Sequence, residues 1–346
     1  MLVGVLLFEP AAANATAASD PGCGATVTHS LVLHHDVLHC SGAGLIITAD
    51  DVVLDLNGHT VSGTGTEGFA GVQVTSRRRV TIRGGTISGF DNGIYFINTN
   101  TSTVQSTRLV DNTAGALSVA GGTSNTLISN RIWQAPGSAA AGIVLFYSRA
   151  NVVARNVLHG NSDGISLSHS NVNTISSNTS SHSGTGIGLF DYSHDNLVQF
   201  NVTDHNSDTG VLLDRQADHN KLIGNTARGN AFAGIVVGAS DHNTVLNNIT
   251  RGNLGSGIAI VDAAAYTAVR GNLADSNGHT PPGCVPDCPL LNDGIHVDAP
   301  LTYLNNNAAD RNADLGIDAG AKVLGGRNNE AHANGDPRQC AGITCL

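Results

Sequence analysis

Apolar positions along most of the chain alternate with period two in short runs, and each run ends at an Asn or a Gly. Period two is the spacing of strands, whose successive side chains point to opposite faces. The runs recur. A Gly followed by an aliphatic residue or Ala returns at Gly93, Gly115, Gly142, Gly164, Gly186, Gly210, Gly234, Gly257, Gly294 and Gly316, at steps of 22, 27, 22, 22, 24, 24, 23, 37 and 22 residues. A hexapeptide N-x-x-x-x-N starts at Asn156, Asn201, Asn225, Asn248, Asn272, Asn307 and Asn329. Another Asn falls five residues before such a hexapeptide or its equivalent, at Asn125, Asn151, Asn173, Asn196, Asn220 and Asn243. Each repeat therefore holds three short strands separated by corners. In the first strand Ile165 and Leu167, Ile187 and Leu189, Val211 and Leu213, and Ile235 and Val237 share the inward face. In the second, Leu127, Val153, Ile175, Val198, Leu222, Val245 and Val269 share one register.

Three strands this short cannot bury their apolar faces alone, but stacked repeats can, with like residues about 4.8 Å apart. The pattern predicts an all-β chain: a right-handed, single-stranded parallel β-helix of about twelve coils of 22–24 residues. The rod would be on the order of 55–60 Å long. The frames of leucine-rich, ankyrin, tetratricopeptide and calcium-binding nonapeptide repeats are absent. Asn is expected at corners because it tolerates left-handed backbone and its side chain replaces missing backbone bonds. Stacked Asn side chains can also bond in ladders. The anchor Gly is expected to supply a further positive-φ corner. Residues 19–65 read as an N-terminal cap with the first coils, 66–335 as the repeats and 336–346 as a C-terminal cap.

Composition narrows the setting. Of 346 residues 42 are Gly and 34 Asn, and only 14 are aromatic. Charged residues are 13% and apolar ones 40%, which argues against disorder. A net charge of −10 excludes a nucleic-acid backbone binder. Leu2 to Phe8 followed by Ala13-Asn14-Ala15 and Thr16-Ala17-Ala18 reads as the back half of a secretory signal peptide over residues 1–18. No other stretch is long and apolar enough to span a membrane. Six cysteines suit an oxidising compartment, with Cys23 and Cys40, Cys284 and Cys288, and Cys340 and Cys345 as local pairs. Zinc is the rival use of these thiols, although the spacings lack a second matching pair. The expected product is a secreted or cell-surface monomer.

The run ITADDVVLDLNGHTVSG from Ile47 to Gly63, the Gly-aliphatic and Asn repeats, and GDPRQC near the end resemble secreted bacterial parallel β-helix proteins of the NosD-like and pectin-lyase-like superfamily. The resemblance covers nearly the whole chain after the leader. It implies the β-helix fold and an association with carbohydrate, without choosing a reaction. The Asn-Thr-Asp and Gly-His-Gly of polygalacturonases, the Asp-Pro-His of mannuronan epimerases and the Arg-x-Pro-x-x-Arg of pectate lyases are absent. Copper storage is poorly served by a sequence whose one methionine is Met1.

In a β-helix, equal offsets in successive coils become neighbours. Five residues after four consecutive anchors lie Tyr147, His169, Asp191 and Arg215, with Phe146, Phe190, Tyr192 and Asp214 beside them. On an acidic sugar this set has a chemical logic. Arg215 would neutralise a uronate carboxylate. His169 and Tyr147 would serve as base and acid. Asp191 would orient His169 or hold a cation such as Ca²⁺, and Phe190 or Tyr192 would carry a sugar ring. The reaction would be β-elimination or epimerisation on the outer face of the first sheet, walled by insertions before Gly142 and Gly294. The plainer alternative is a solvated ladder of paired charges, and a non-catalytic carbohydrate-binding or adhesion rod is the rival function. No resident cofactor is required. His194-Asp195-Asn196, Asp218-His219-Asn220 and Asp241-His242-Asn243 read as turn chemistry at strand entries rather than a metal or hydrolase site. His29, His34, His35 and His39 crowd the cap and read as a solvated strand.

Overall fold

The protein is described by a computed structural model covering residues 21–135, 139–279 and 292–346. The expected signal peptide and the expected Cys284–Cys288 pair lie outside the described residues.

Alternation every two residues yields forty short strands among the described residues. They form three parallel sheets of fourteen, thirteen and thirteen strands, each strand pairing with the one three places along the chain. In the first sheet Asn92–Ile97 pairs with Ala70–Thr75 and Gly115–Ala120. In the second, Thr103–Gln105 pairs with Thr81–Arg83 and Thr126–Ile128, and in the third Arg108–Val110 pairs with Thr86–Ser88 and Arg131–Trp133. This is the expected right-handed parallel β-helix, with thirteen coils. The last first-sheet strand, Cys340–Ala341, pairs with Ile317–Ala319. Disulfides Cys23–Cys40 and Cys340–Cys345 tie down the two ends.

The core is a column of stacked aliphatic residues. Ile165, Leu167, Ile187, Leu189, Val211, Leu213, Ile235 and Val237 are buried, as are Leu127, Val153, Ile175, Val198, Leu222, Val245 and Val269. Each twin sits one coil from the next, so a single apolar face is continuous along the rod.

The corners work differently from the expectation. The ladder Asn residues are buried, and the positive φ falls on the residue before each: Ser124, Ala150, Val172, Asp195, His219 and His242 precede the first ladder. The reason is geometric. The carboxamide must point inward to bond both up and down the rod, so the residue before it makes the turn and sends its side chain outward. Asn173 shows the pattern. Its Nδ2 donates to Asn196 Oδ1 (3.0 Å) and to Ser148 O (3.2 Å), while its Oδ1 accepts from Asn151 N (2.9 Å) and Nδ2 (3.1 Å). All four hydrogen-bonding positions of the side chain are filled. Parallel ladders run Asn130–Asn156–Asn178–Asn201–Asn225–Asn248–Asn272–Asn307–Asn329 and, from the hexapeptides' second Asn, Asn206–Asn230–Asn253–Asn277–Asn312–Asn334.

The anchor glycines also serve another purpose than expected. Gly142, Gly164, Gly186, Gly210, Gly234 and Gly257 are absent from the positive-φ positions. A Cβ on Gly186 would strike the carbonyl of Gly210 and the Thr203 side chain, so close approach selects Gly here. Gly115 is a slip of register: it pairs with Asn92 and Ala141, and the anchor's equivalent in that coil is Ala116.

Candidate functional site

Tyr147, His169, Asp191 and Arg215 do stand one above another. They occupy successive coils at φ of 46°, 50°, 47° and 54°, in the corner that follows the first-sheet strand rather than on its flat outer face. Tyr147 N donates to Ser168 O (3.1 Å) and His169 N to Asp191 O (2.9 Å). The Tyr147 and His169 rings stack at 4.4 Å, Tyr192 lies 5.8 Å beyond, and Phe146 meets Tyr147 edge-on at 4.5 Å. The Phe190 ring folds over Gly188. Ser168 Oγ bridges His169 Nδ1 (3.0 Å) and Asp191 Oδ2 (3.2 Å). Arg215 lies 3.5 Å from Asp191 and 3.7 Å from Asp214, so its charge is already matched. The insertions before Gly142 and Gly294, expected to wall this row, fall largely at residues 136–138 and 280–291, outside the described residues. A cleft of about 220 Å³ lies on the sheet face beside Phe146, lined by Tyr95, Ser118 and Val144.

The Asp-His pairs are turn chemistry, as expected. Asp218 Oδ1 accepts from Asp241 N (2.7 Å) and Asp241 Oδ1 from Ala265 N (2.8 Å). His219, His242 and Tyr266 stack outside them at 4.9 and 4.8 Å. In the cap, His34 and His35 fall between the strands Leu31–Val32 and Val37–Cys40, so His35 and His39 do not share one strand face. Asp50 and Asp51 bond Arg78 (2.9 Å) and Arg79 (2.8 Å) one coil on.

Two groupings escaped the sequence reading. On the third sheet Arg108 lies in register with Arg131, and Val110 with Trp133. Both arginines are exposed, and neither has an ion-pair partner among the described residues. Other arginines of this sheet are paired: Arg228 with Asp204 at 2.9 Å, Arg251 with Asp275 at 3.2 Å, and Arg311 of the adjoining corner with Asp275 at 2.6 Å. Arg108 and Arg131 line a cleft of about 360 Å³ with Gly85, Ser106, Thr107 and Ser129, and a second of about 280 Å³ with Trp133. Trp133, 46% exposed, opens a column of rings: His159 at 4.5 Å, then His182 at 4.8 Å and His205 at 5.8 Å. Burial, and then the neighbouring His182, hold the His159 pKa below its ordinary value. The signal was present: Thr107-Arg108 and Asn130-Arg131 hold one offset, 23 residues apart, in the third strand.

The second grouping is on the outer face of the first sheet. His296 Nδ1 lies 2.9 Å from Asp293 Oδ2 and 3.6 Å from Asp318 Oδ2, and its Nε2 is 3.0 Å from Asp298 Oδ2. Burial works to lower the His296 pKa, but its contacts with Asp293 and Asp298 outweigh this and raise it to about 9. Asp318 is pushed up by burial and by Asp293, and Asp163 on the same face by burial, against hydrogen bonds from Thr185. Asp293 lies one residue before the anchor Gly294, and His296 and Asp318 lie two residues after Gly294 and Gly316, not at the fifth position.

The family described as periplasmic copper-binding protein (NosD) matches residues 20–179 and again 135–285. Among solved structures the chain is similar to the A-module of mannuronan C-5 epimerase AlgE6 from Azotobacter vinelandii, with TM-score 0.62, 15% identity and 94% of this chain and 91% of that one covered. It is similar to a double mutant of the periplasmic alginate epimerase AlgG, with TM-score 0.64, 14% identity and 93% and 85% covered. It is similar to the DFA-IIIase of Arthrobacter chlorophenolicus, with TM-score 0.53, 13% identity and 71% and 70% covered. At these identities the likeness is one of fold. No curated protein matches by sequence.

A copper(I) carrier needs soft sulfur ligands. The sequence has one methionine, Met1, and the described cysteines are all in disulfides. The oxygen-rich Asp293–His296–Asp318 cluster does not fit that ion either.

Proposed function

This chain belongs to the NosD family, described as periplasmic copper-binding protein, and on that premise we propose that it is an extracytoplasmic rod that binds an acidic polysaccharide along its third sheet. Its disulfides suit an oxidising compartment outside the cytoplasm. No helix of the described residues is long and apolar enough to cross a membrane. One observation carries the reading: in a chain of net charge −10, Arg108 and Arg131 stand one coil apart without acidic partners among the described residues, beside the exposed ring of Trp133. Arginine grips a carboxylate or sulfate through two parallel N–H donors. An indole face offers an apolar platform for a pyranose, and the exposed hydroxyls of Ser106 and Ser129 suit sugar hydroxyls. Titration calorimetry with polygalacturonate, alginate and a neutral glucan tests it. The acidic polymers should bind and the glucan should not. Arg108→Ala with Arg131→Ala should weaken binding at least about tenfold, each charged hydrogen bond contributing about 1.5–3 kcal/mol. Equal binding of the glucan, or no loss in the double variant, would overturn it.

A second reading, a uronate lyase or epimerase at the first-sheet corner, is favoured by the Ser168 bridge between His169 and Asp191. His169 would take the proton beside the uronate carboxylate, Tyr147 would give one to the opposite face or the leaving oxygen, and Arg215 would offset the carboxylate charge. Phe146, Phe190, Tyr192 and Asp214 would frame the sugar. This reading predicts unsaturated or epimerised uronates in the incubated polymer, lost in His169→Ala. Unaltered polymer with retained binding leaves the non-catalytic rod.

A further inference from the structure

We propose that Asp293, His296 and Asp318 form a binding site for a first-row divalent cation such as Zn²⁺ or Mn²⁺, with Asp298 positioning the imidazole. The site lies on the first sheet, on another face and several coils away from Arg108 and Arg131, and does not depend on the carbohydrate reading.

The three donors come from two adjacent coils. Ile295–Val297 pairs with Ile317–Ala319, and His296 is in direct register with Asp318. Asp293 immediately precedes the anchor Gly294 of the His296 coil. One ligand atom from each residue lies within 4.8 Å of the others. The separations of His296 Nδ1 from Asp293 Oδ2 (2.9 Å) and from Asp318 Oδ2 (3.6 Å) have the scale of polyhedron edges around a small ion. Bonds of about 2.0–2.2 Å place adjacent donors roughly 3–3.5 Å apart.

The site is prepared in two ways that a chance acidic patch is not. Asp293 is oriented by the backbone: its Oδ1 accepts from Leu315 N at 3.1 Å, which leaves Oδ2 facing the imidazole. His296 is only 8% exposed, and its buried Nε2 has no aligned hydrogen-bond acceptor, although Asp298 Oδ2 stands 3.0 Å away. A small rotation of the exposed Asp298 side chain would complete that bond. Asp298 then holds the proton on Nε2, as carboxylates behind metal-bound histidines do. Without an ion, Nδ1 donates its own proton to Asp293; the cation displaces that proton to solvent and takes the Nδ1 lone pair between Asp293 and Asp318. With the imidazole then neutral, Asp293 and Asp318 carry two negative charges, which a divalent cation cancels. One nitrogen among the donors disfavours Ca²⁺, which takes oxygen, and the lack of sulfur disfavours Cu⁺.

Calorimetric titration of the full chain with Zn²⁺, Mn²⁺ and Ca²⁺ tests the site, with folding followed by circular dichroism. One Zn²⁺ or Mn²⁺ should bind per chain, and Ca²⁺ far more weakly. Asp318→Asn, a change at the solvent edge, should keep the fold and lose at least about a hundredfold in affinity. Asp298→Asn should lose about 10–100-fold and shift the ring-nitrogen NMR signals of His296 toward a mixture of tautomers, which a merely structural role would not do. The proposal fails if the wild-type chain binds neither ion. It fails if folded Asp318→Asn binds as wild type, or if Ca²⁺ binds as well as Zn²⁺, since His296 would then not be a ligand.

Discussion

A buried carboxamide is the smallest unit of this fold. Along the ladders each Asn is satisfied by its twin one coil on, whose Oδ1 accepts from both its N and its Nδ2. Asn201→Ala would leave Asn178 N and Nδ2 without their acceptor in a dry interior. We expect a loss of roughly 2–4 kcal/mol by urea unfolding, with orphaned donors costing about 1–3 kcal/mol each. The converse change is available where the first ladder stops. Asn243 Nδ2 and Thr267 Oγ1 are both buried without hydrogen-bond partners among the described residues. Thr267→Asn should extend the ladder and raise stability by about 1 kcal/mol. The identity of the ladder residues was legible from spacing alone. Their backbone conformation was not, since the demand that the side chain face inward moves the positive φ one residue earlier. Arg108 and Arg131 were hidden for a related reason: being unpaired is a property of the neighbouring coils, which only register reveals.

Strands here are too short to be stable singly, so close contact between coils sets their sequence. Gly186→Ala would drive a Cβ into the Gly210 carbonyl and Thr203. Overpacking of this kind costs typically 1–3 kcal/mol, and the thermal midpoint should fall accordingly. Alternation placed the inward residues of the first and second sheets correctly, from Leu127 to Val269. The slip at Gly115 arose because two small residues, Gly115 and Ala116, stand side by side, and only pairing with Asn92 and Ala141 separates them. The row from Tyr147 to Arg215 was found by equal offsets, and its members do adjoin. Its position in a corner followed from where each strand ends. The Asp293–His296–Asp318 cluster was missed because its members lie at two different offsets from their anchors.

At the scale of the molecule, thirteen like coils make a one-dimensional array, in which each coil contacts only its neighbours and fraying starts at the ends. The end disulfides sit where fraying would begin. Replacing Cys340 and Cys345 by Ser should speed amide exchange in Ile317–Ala319 and Leu324–Arg327 and leave Thr185–Phe190 protected; uniform loosening of all coils would contradict this account. The function proposed for the array rests on two arginines without ion-pair partners among the described residues, beside the single tryptophan of the sequence, Trp133, which is therefore a built-in reporter of the site. The most direct test is its fluorescence during titration with a uronate oligosaccharide. A saturable change in Trp133 emission, absent with a neutral oligosaccharide and lost in Arg108→Ala with Arg131→Ala, is the result expected. Emission that stays constant while calorimetry registers binding would place the sugar elsewhere on the rod and contradict the claim.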